Sequence, residues 1–230
     1  MKRQCFRRIA SALLAVVLFA SSMAIPSEVD AGVTAKSVIK KAIAELEAAE
    51  SVGGQWDSVR SGYEGKDKNN VFYWHTTGMF VSDDDTMYDI WLDLEQNGNG
   101  YQEYYSNGKC FRKAYYELGW LAYNNPDAGT EKQRLSFWLK KVQKPKLETT
   151  KNSYIISGKL RKEDSGFKTV EMKIDKKTNR LTDVTLTMRK YTENYIKSDD
   201  TYTVTSGKLK YSYISYGDSK VELPEELEGL

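Results

Sequence analysis

The chain has 230 residues, a length that suggests one domain or at most two, and its 40% hydrophobic and 29% charged residues are ordinary for a globular protein. Its formal net charge is only +2. The lack of a basic excess argues against a nucleic-acid-binding protein, because phosphate recognition normally needs a basic surface.

The N-terminal segment has the pattern of a secretory signal peptide. A short apolar run, residues 9–20, follows a basic head and is too short to span a membrane. Small residues allow cleavage after Ala24 or after Ala31, and we favour Ala31 because Thr34 can then cap the next helix. Removal of residues 1–31 takes away four basic and two acidic residues and leaves 30 of each, so we expect a neutral mature chain without a membrane span.

The two cysteines predict neither a lipid anchor nor a disulfide. Cys5 lies in the signal head, without the small-residue context that lipid attachment requires. Cys110 is then the one cysteine of the mature chain, so no intramolecular disulfide is expected. We therefore expect a protein released, or held non-covalently, on the extracellular side of the cell envelope.

An amphipathic helix is predicted for residues 34–50, ending before Gly53-Gly54. Its apolar stripe comprises Val38, Ile39, Ala42, Ile43 and Leu46. Residues 55–65 fit either a first strand or a loop, and the polar residues 66–70 form a hairpin or linker.

Residues 71–123 predict an antiparallel β-meander. Short runs of β-branched and aromatic residues alternate with turn-forming residues, among them Asp83 to Asp85 and Asn107-Gly108. In the run beginning at Thr86, the apolar residues share one parity and most charged residues share the other, which predicts one buried face. The residues expected to point inward are Tyr88, Ile90, Leu92 and Leu94.

A second amphipathic helix is predicted near residues 131–142, after a possible cap at Thr130 and before Pro145. Its stripe comprises Leu135, Trp138, Leu139 and Val142. Four more strands follow, and they are centred on residues 154–160, 170–174, 184–188 and 201–216, the last of which could be two strands broken at Ser206-Gly207. The order predicts one α+β domain, residues 32–230, with a single large antiparallel sheet.

Several motifs together resemble a known family. They are NGKCFRK at residues 107–113, Gly119-Trp120, IDKKTNRL at residues 174–181 and KVELPEEL at residues 220–227. With the two helices, they make the chain similar, over residues 34–227, to the LolA/LppX-like superfamily of bacterial envelope proteins, especially the secreted and lipid-anchored versions of Gram-positive bacteria.

This resemblance implies an unclosed, curved β half-barrel whose concave face is covered by the two helices, with an apolar cavity between them. It implies carriage of lipids or lipoprotein acyl chains, or an envelope protein partner, and it assigns no catalytic residue, cofactor or metal. The expected cavity lining is Ile39, Ile43, Leu46, Tyr88, Ile90, Leu92, Leu94, Leu135, Trp138, Leu139, Met172 and Leu186.

Three groups of residues could carry other chemistry. His75 is the sole histidine, so we expect a structural role, and neither His75 nor Cys110 lies in the sequence context of a thiol enzyme. Asp83, Asp84 and Asp85 could ligate calcium but lack the spacing of a calcium loop, and we expect turn residues instead.

We therefore weigh two functions. The first is a secreted, non-enzymatic binding protein that sequesters a lipid, an acyl chain or another apolar ligand under a helical lid. The alternative is an extracellular protein-interaction or carbohydrate-binding module that uses its aromatic surface and has no cavity. A hydrolase is the weakest hypothesis, because no nucleophile, base and acid occur at motif spacing.

Overall fold

The computed structural model describes residues 32–95, 99–117, 119–125, 129–163, 165–194 and 201–228. The predicted signal peptide lies outside these residues, as do Asn97 and Gly98, for which the sequence Asn97-Gly98-Asn99-Gly100 predicts a turn. Within the described residues, no helix is long and apolar enough to cross a membrane.

Twelve strands in the described chain form one antiparallel sheet, which is not closed. The first half is a meander of β1 (Ser51–Glu64), β2 (Val71–Ser82), β3 (Thr86–Asp93), β4 (Asn99–Ser106), β5 (Lys109–Ala114) and β6 (Leu121–Asn124). The second half contains β7 (Gln143–Thr149), β8 (Ser153–Lys159), β9 (Phe167–Asp175), β10 (Leu181–Met188), β11 (Tyr191–Asn194) and β12 (Thr201–Gly217). The predicted α+β fold with an open half-barrel sheet is confirmed.

The two halves join through the pairing of β1 with β12, which gives the order β6-β5-β4-β3-β2-β1-β12-β10-β9-β8-β7, with β11 beside β12. The ambiguous residues 55–64 belong to β1, and residues 201–217 form one strand with register shifts rather than two strands. The edge strand β7, the short β11 and a final turn of helix were not predicted from the sequence.

The prediction that Gly53 and Gly54 end the first helix was wrong, because both glycines lie inside β1. That helix, α1, spans Ala35–Ala48 and ends without a glycine. A Cβ on Gly54 would meet the ring of Phe80 at 3.0 Å. The glycines therefore permit close packing across the sheet.

Both predicted helices begin at a capping box. Thr34 caps α1, and Thr130 caps α2, which spans Glu131–Lys141. Each threonine side chain accepts a hydrogen bond from the backbone N–H three residues later, which satisfies one of the free donors of the first turn. Lys132 then anchors α2, because its Nζ donates to the Ala49 carbonyl at 2.7 Å and to Asp84 at 2.9 Å.

The helices pack on one side of the sheet, which we call the inner face. Their apolar stripes join one core cluster with residues of β1, β2, β8, β9, β10 and β12. The sheet residues of this cluster are Val52, Phe80, Ile156, Val170, Met172, Ile174, Leu181, Val184, Leu186, Tyr211 and Ile214. No residue of β3 to β6 belongs to this cluster, so α1 and α2 sit over one half of the inner face.

The chain end covers part of the opposite side, the outer face of the meander. Leu227 in α3 (Glu225–Glu228) is buried, as is Phe111 on the outer side of β5. The Trp120 Nε1–H donates to Glu226 at 3.1 Å, and the Val221 N–H donates to Asp83 at 2.9 Å. The LPE motif of the sequence thus lies in a segment that packs against the sheet.

Candidate functional site

The register of the sheet places the predicted inward-pointing residues of β3 on the outer face. Val81 pairs with Tyr88 and Met79 pairs with Ile90, and the side chains of Val81 and Met79 are 44% and 55% exposed. Leu92 shares their parity, and Leu94 is itself exposed. The prediction that Tyr88, Ile90, Leu92 and Leu94 face the helices was wrong, because alternation identifies two faces without showing which one the helices cover.

The other predicted lining residues belong to the core cluster, except Ile43, which is partly buried and packs against it. Those at most 1% exposed are Leu46, Leu135, Leu139, Met172 and Leu186. Because these side chains contact one another in one cluster, the space between the helices and this half of the sheet is occupied by protein.

The inner face of the meander carries a row of aromatic side chains, which starts at Trp56, packed against the core cluster, and continues onto β3 and β4 outside that cluster. Trp56, Gly78, Trp91, Tyr101 and Ala114 lie directly opposite one another on β1 to β5. The rings of Trp91 and Tyr101 stack with centroids 4.4 Å apart and an interplanar angle of 23°. All three aromatic residues remain partly exposed.

Gly78 allows the Trp56 indole to lie across β2. A Cβ at this position would come within 2.6 Å of Trp56 Cε2 and 2.7 Å of the Ile90 carbonyl oxygen. Ala114, at the other end of the row, is also small. The row therefore forms an apolar floor, which we call the inner trough and define by Trp56, Trp91 and Tyr101.

A row of charged residues borders the inner trough. Asp89, Glu103 and Arg112 are directly opposite one another on β3, β4 and β5. The Arg112 Nε–H donates to Glu103 at 2.6 Å, and its guanidinium carbon is 5.7 Å from the ring centroids of Trp91 and Tyr101. The ion pair and the rings hold this arginine at the edge of the apolar floor.

Asp89 lies where the trough meets α2. Its carboxylate accepts a hydrogen bond from Trp56 Nε1 at 3.0 Å. Burial raises the pKa of Asp89 to about 7, and the negative charges of Glu131 and Glu103 act in the same direction. The Trp56 hydrogen bond and the Arg134 guanidinium oppose this rise without cancelling it.

The first turn of α2 forms the wall between the core and the trough. Glu131 is buried, accepts a hydrogen bond from the Tyr211 hydroxyl at 2.7 Å and pairs with Arg134. Burial, followed by the charge of Glu131, raises the pKa of Tyr211 well above its ordinary value. The sequence pattern did not predict a site at Asp89, Glu103, Arg112 and Glu131, because buried charges are rare and alternation places charged residues on the solvent side.

A second aromatic cluster lies on the inner face at the beginning of β2. Phe72 and Trp74 stack with centroids 4.1 Å apart, and the Tyr202 ring lies 4.9 Å from that of Trp74. All three rings are partly exposed. Apolar surface is thus available along β2 as well as across the meander.

His75 and Cys110 are not brought together. His75 Nε2 lies 2.7 Å from Asp57 Oδ2 on the outer face of β2, whereas Cys110 is buried on the inner face of β5 beside Met87 and Tyr105. Burial, with the nearby charge of Glu103, raises the pKa of the Cys110 thiol, which disfavours the reactive thiolate.

The aspartates of the β2–β3 turn bind other parts of the protein. Asp83 Oδ1 accepts hydrogen bonds from the backbone N–H groups of Asp85 and Thr86, and Asp84 pairs with Lys132. Within the described ranges, no group of three or more histidine, cysteine, aspartate and glutamate side chains is placed to hold a metal ion.

Comparisons with known proteins give similarities in solved structures. No known protein family matches the sequence, and no curated protein matches it. The chain is similar to a LolA superfamily protein from Nitrosomonas europaea, with 12% identity and a TM-score of 0.31 over 85% of this chain and 97% of that one.

Two further solved structures have sequence identities and TM-scores in the same range. LprF from Mycobacterium bovis has 10% identity and a TM-score of 0.43 over 83% of this chain and 96% of its own. The MucA/MucB complex structure from Pseudomonas aeruginosa has 11% identity and a TM-score of 0.36 over 82% of this chain and 59% of that one.

Proposed function

We propose that this protein is a non-enzymatic binding protein of the bacterial cell envelope that sequesters a lipid, an acyl chain or another apolar ligand in its inner trough. The observation that carries the proposal is the partly exposed aromatic row on the inner face, of which Trp91 and Tyr101 lie outside the core cluster beneath α1 and α2. Burying apolar surface stabilises a complex by about 25 cal/mol per Å², so a ligand covering roughly 100 Å² of the trough would gain about 2.5 kcal/mol there.

The trough replaces the space under the helices as the proposed ligand site. A ligand between the helices and the sheet would have to displace side chains such as Leu46 and Leu139, which are at most 1% exposed. Vacating such a packed core costs both apolar burial and dispersion contacts. Binding in the trough requires no such opening, and α2 then serves as a wall rather than a lid.

The geometry of the rings favours an acyl chain over a sugar. Sugar rings stack on free aromatic faces, whereas Trp91 and Tyr101 each cover one face of the other. The neighbouring Arg112 offers a cation for a polar head group at the edge of the floor. An amphiphile with its chain over Trp56 and its head near Arg112 therefore suits the trough best.

The carboxylates of the trough support binding rather than catalysis. Glu103 is held by Arg112, and Asp89 accepts from Trp56. We therefore propose no reaction at this site.

The alternative is an interaction or cell-wall module without a ligand cavity. It is favoured by the apolar outer face of β2 and β3, where Met79 and Val81 are exposed beside Ile90 and Tyr88. This surface would receive a partner protein of the envelope, and the inner trough would then bind nothing.

Substitutions at two adjacent residues on opposite faces of β3, Trp91 and Leu92, distinguish these two functions. We would titrate fatty acids, phospholipids and a lipopeptide, and follow the melting temperature of wild type, Trp91→Lys and Leu92→Lys. A ligand at one hundred times its dissociation constant should stabilise wild type by about 2.7 kcal/mol. We expect Trp91→Lys to abolish this stabilisation and Leu92→Lys, the matched control, to retain it.

Circular dichroism establishes that both variants fold, and the milder Trp91→Ala replaces Trp91→Lys if the latter does not. The proposal fails if no apolar ligand raises the melting temperature of wild type, or if the Leu92 variant loses binding while the Trp91 variant keeps it. The second outcome would establish the outer face as the binding surface.

We also propose that the mature protein begins after Ala31, or after Ala24, and is secreted. N-terminal sequencing of the protein recovered outside the cell tests this, and recovery of residue 1 in the mature form would refute it.

A further inference from the structure

The outer face of the second half of the sheet contains a groove of about 670 Å³. The groove lies on the side opposite the inner trough, because the threonines, Glu171 and Lys208 that line it have the parity opposite to the buried Met172 and Leu186. One row of directly paired residues crosses four strands, β8, β9, β10 and β12, and comprises Lys159, Thr169, Thr187 and Lys208.

The rim of the groove is basic. Lys144, Lys146, Lys159 and Lys208 line it, and all four side chains are exposed. None of them forms an ion pair with another residue in the described part of the chain. Glu171 is the one carboxylate among the lining residues, so the groove has a local charge of about +3 on a chain that is almost neutral.

The floor of the groove offers hydroxyl groups. Ser157, Thr169, Thr185 and Thr187 are partly buried, and their side chains make no hydrogen bond to another residue within the described ranges. Hydroxyls can donate to phosphate oxygens, and ammonium groups supply the neutralising charge. The combination is typical of a surface that binds phosphate groups.

The shape of the groove depends on a bulge in the edge strand. The pairing of β7 with β8 shifts register between Gln143 and Lys146, and Lys144 has a positive φ of 47°. Across this bulge, a Cβ on Gly158 would come within 2.4 Å of the Val142 side chain and 2.9 Å of the Gln143 carbonyl oxygen. Gly158 therefore allows the bulged edge strand, which carries the lining residues Lys144 and Lys146, to approach β8 closely.

We propose that this groove binds a linear polymer of phosphate groups, which lies across the strands with its charges against the lysines and its oxygens against the floor hydroxyls. Lys159 and Lys208 are three strands apart, or roughly 14 Å, at a strand spacing of about 4.8 Å. One phosphate cannot span that distance. A flat bilayer surface would meet the rim lysines without reaching the hydroxyls of the floor.

The experiment measures binding of long-chain inorganic polyphosphate to the wild-type protein and to three double variants, over a range of salt concentrations. The groove variant is Lys159→Gln with Lys208→Gln, and the floor variant is Thr169→Val with Thr187→Val. The matched control is Lys40→Gln with Lys41→Gln, which removes the same charge from the exposed side of α1.

We expect the groove variant to lose tenfold or more in affinity and to reduce the slope of log affinity against log salt by roughly 1.5, since each phosphate contact contributes about 0.7 to 0.9. The floor variant should lose several-fold in affinity with an unchanged salt slope, because it removes hydroxyls and no charge. The control should bind as wild type does.

Three results would overturn the proposal. The first is an equal loss of affinity for polyphosphate in the control variant, which would mean non-specific attraction. The second is equal binding of inorganic phosphate, which would mean a site for a single anion. The third is binding of phosphatidylglycerol vesicles without binding of polyphosphate. Because the groove and the trough lie on opposite faces, the Trp91 variants should bind polyphosphate normally.

Discussion

Replacement of Asp89 by asparagine tests the electrostatics of the inner trough. The pKa of Asp89 is raised from 3.8 to about 7, chiefly by burial, with contributions from Glu131 and Glu103. The folded protein therefore holds a proton that the unfolded chain releases at lower pH. This contribution to stability is complete below about pH 4 and is lost as the pH rises through about 7.

The magnitude follows from the size of the rise. About three pH units at about 1.36 kcal/mol each give about 4 kcal/mol. Water still reaches part of the Asp89 side chain, and its screening reduces this value, so we expect the wild type to lose roughly 2–4 kcal/mol of unfolding free energy between about pH 4 and pH 8. The asparagine variant keeps the shape and an oxygen for Trp56 Nε1 but has no proton to lose.

The assay compares urea unfolding of wild type and Asp89→Asn across this range. The two proteins should be similar in stability at about pH 4, and the variant should gain roughly 2–4 kcal/mol relative to wild type by about pH 8. For a domain of this size that difference is roughly 4–16 °C in melting temperature. The control is Asp85→Asn, at an exposed position in the β2–β3 turn.

A difference between wild type and Asp89→Asn that stays constant with pH would refute the reasoning, as would an equal pH dependence in the Asp85 control. An equal dependence in the control would mean that the effect is not specific to Asp89, whereas a constant difference would mean that Asp89 in the folded protein is already ionised above about pH 4. The trough would then carry a permanent negative charge beside its apolar floor.

Three further predictions concern packing and capping. Gly78→Ala should destabilise the fold by about 1–3 kcal/mol, because its Cβ meets the Trp56 indole and the Ile90 carbonyl, whereas Gly119→Ala, with no atom within 4 Å, should be near neutral in urea unfolding. Thr130→Ala should cost about 1 kcal/mol by removing the cap of α2, and Thr130→Ser should restore most of it. The Cys110 thiol should react slowly with a thiol reagent in the folded protein and at the rate of a free cysteine in denaturant; rapid labelling of the folded protein would contradict its burial.

The sequence by itself determined most of the local structure. Thr34 and Thr130 begin helices because their side chains accept from the backbone of the first turn. Asn107-Gly108 forms a hairpin turn in which both residues have positive φ, a conformation that these two residue types tolerate. The alternation of Val170, Met172 and Ile174 predicted a strand with one buried face, because burial on this side of the sheet follows the pleat.

Only the tertiary structure decided which face of the meander is the inner one. On β3, apolar and aromatic residues occur on both faces, since Ile90 faces outward while Trp91 faces inward. Alternation with a period of two therefore does not show which face the helices cover. The pairing of β1 with β12 joins the two halves of the sheet, and α1 and α2 pack over residues of β1, β2, β8, β9, β10 and β12 while β3 to β6 stay outside the core cluster. Asp89 can then be buried with a hydrogen bond from Trp56, a contact between residues far apart in the chain that no local pattern encodes.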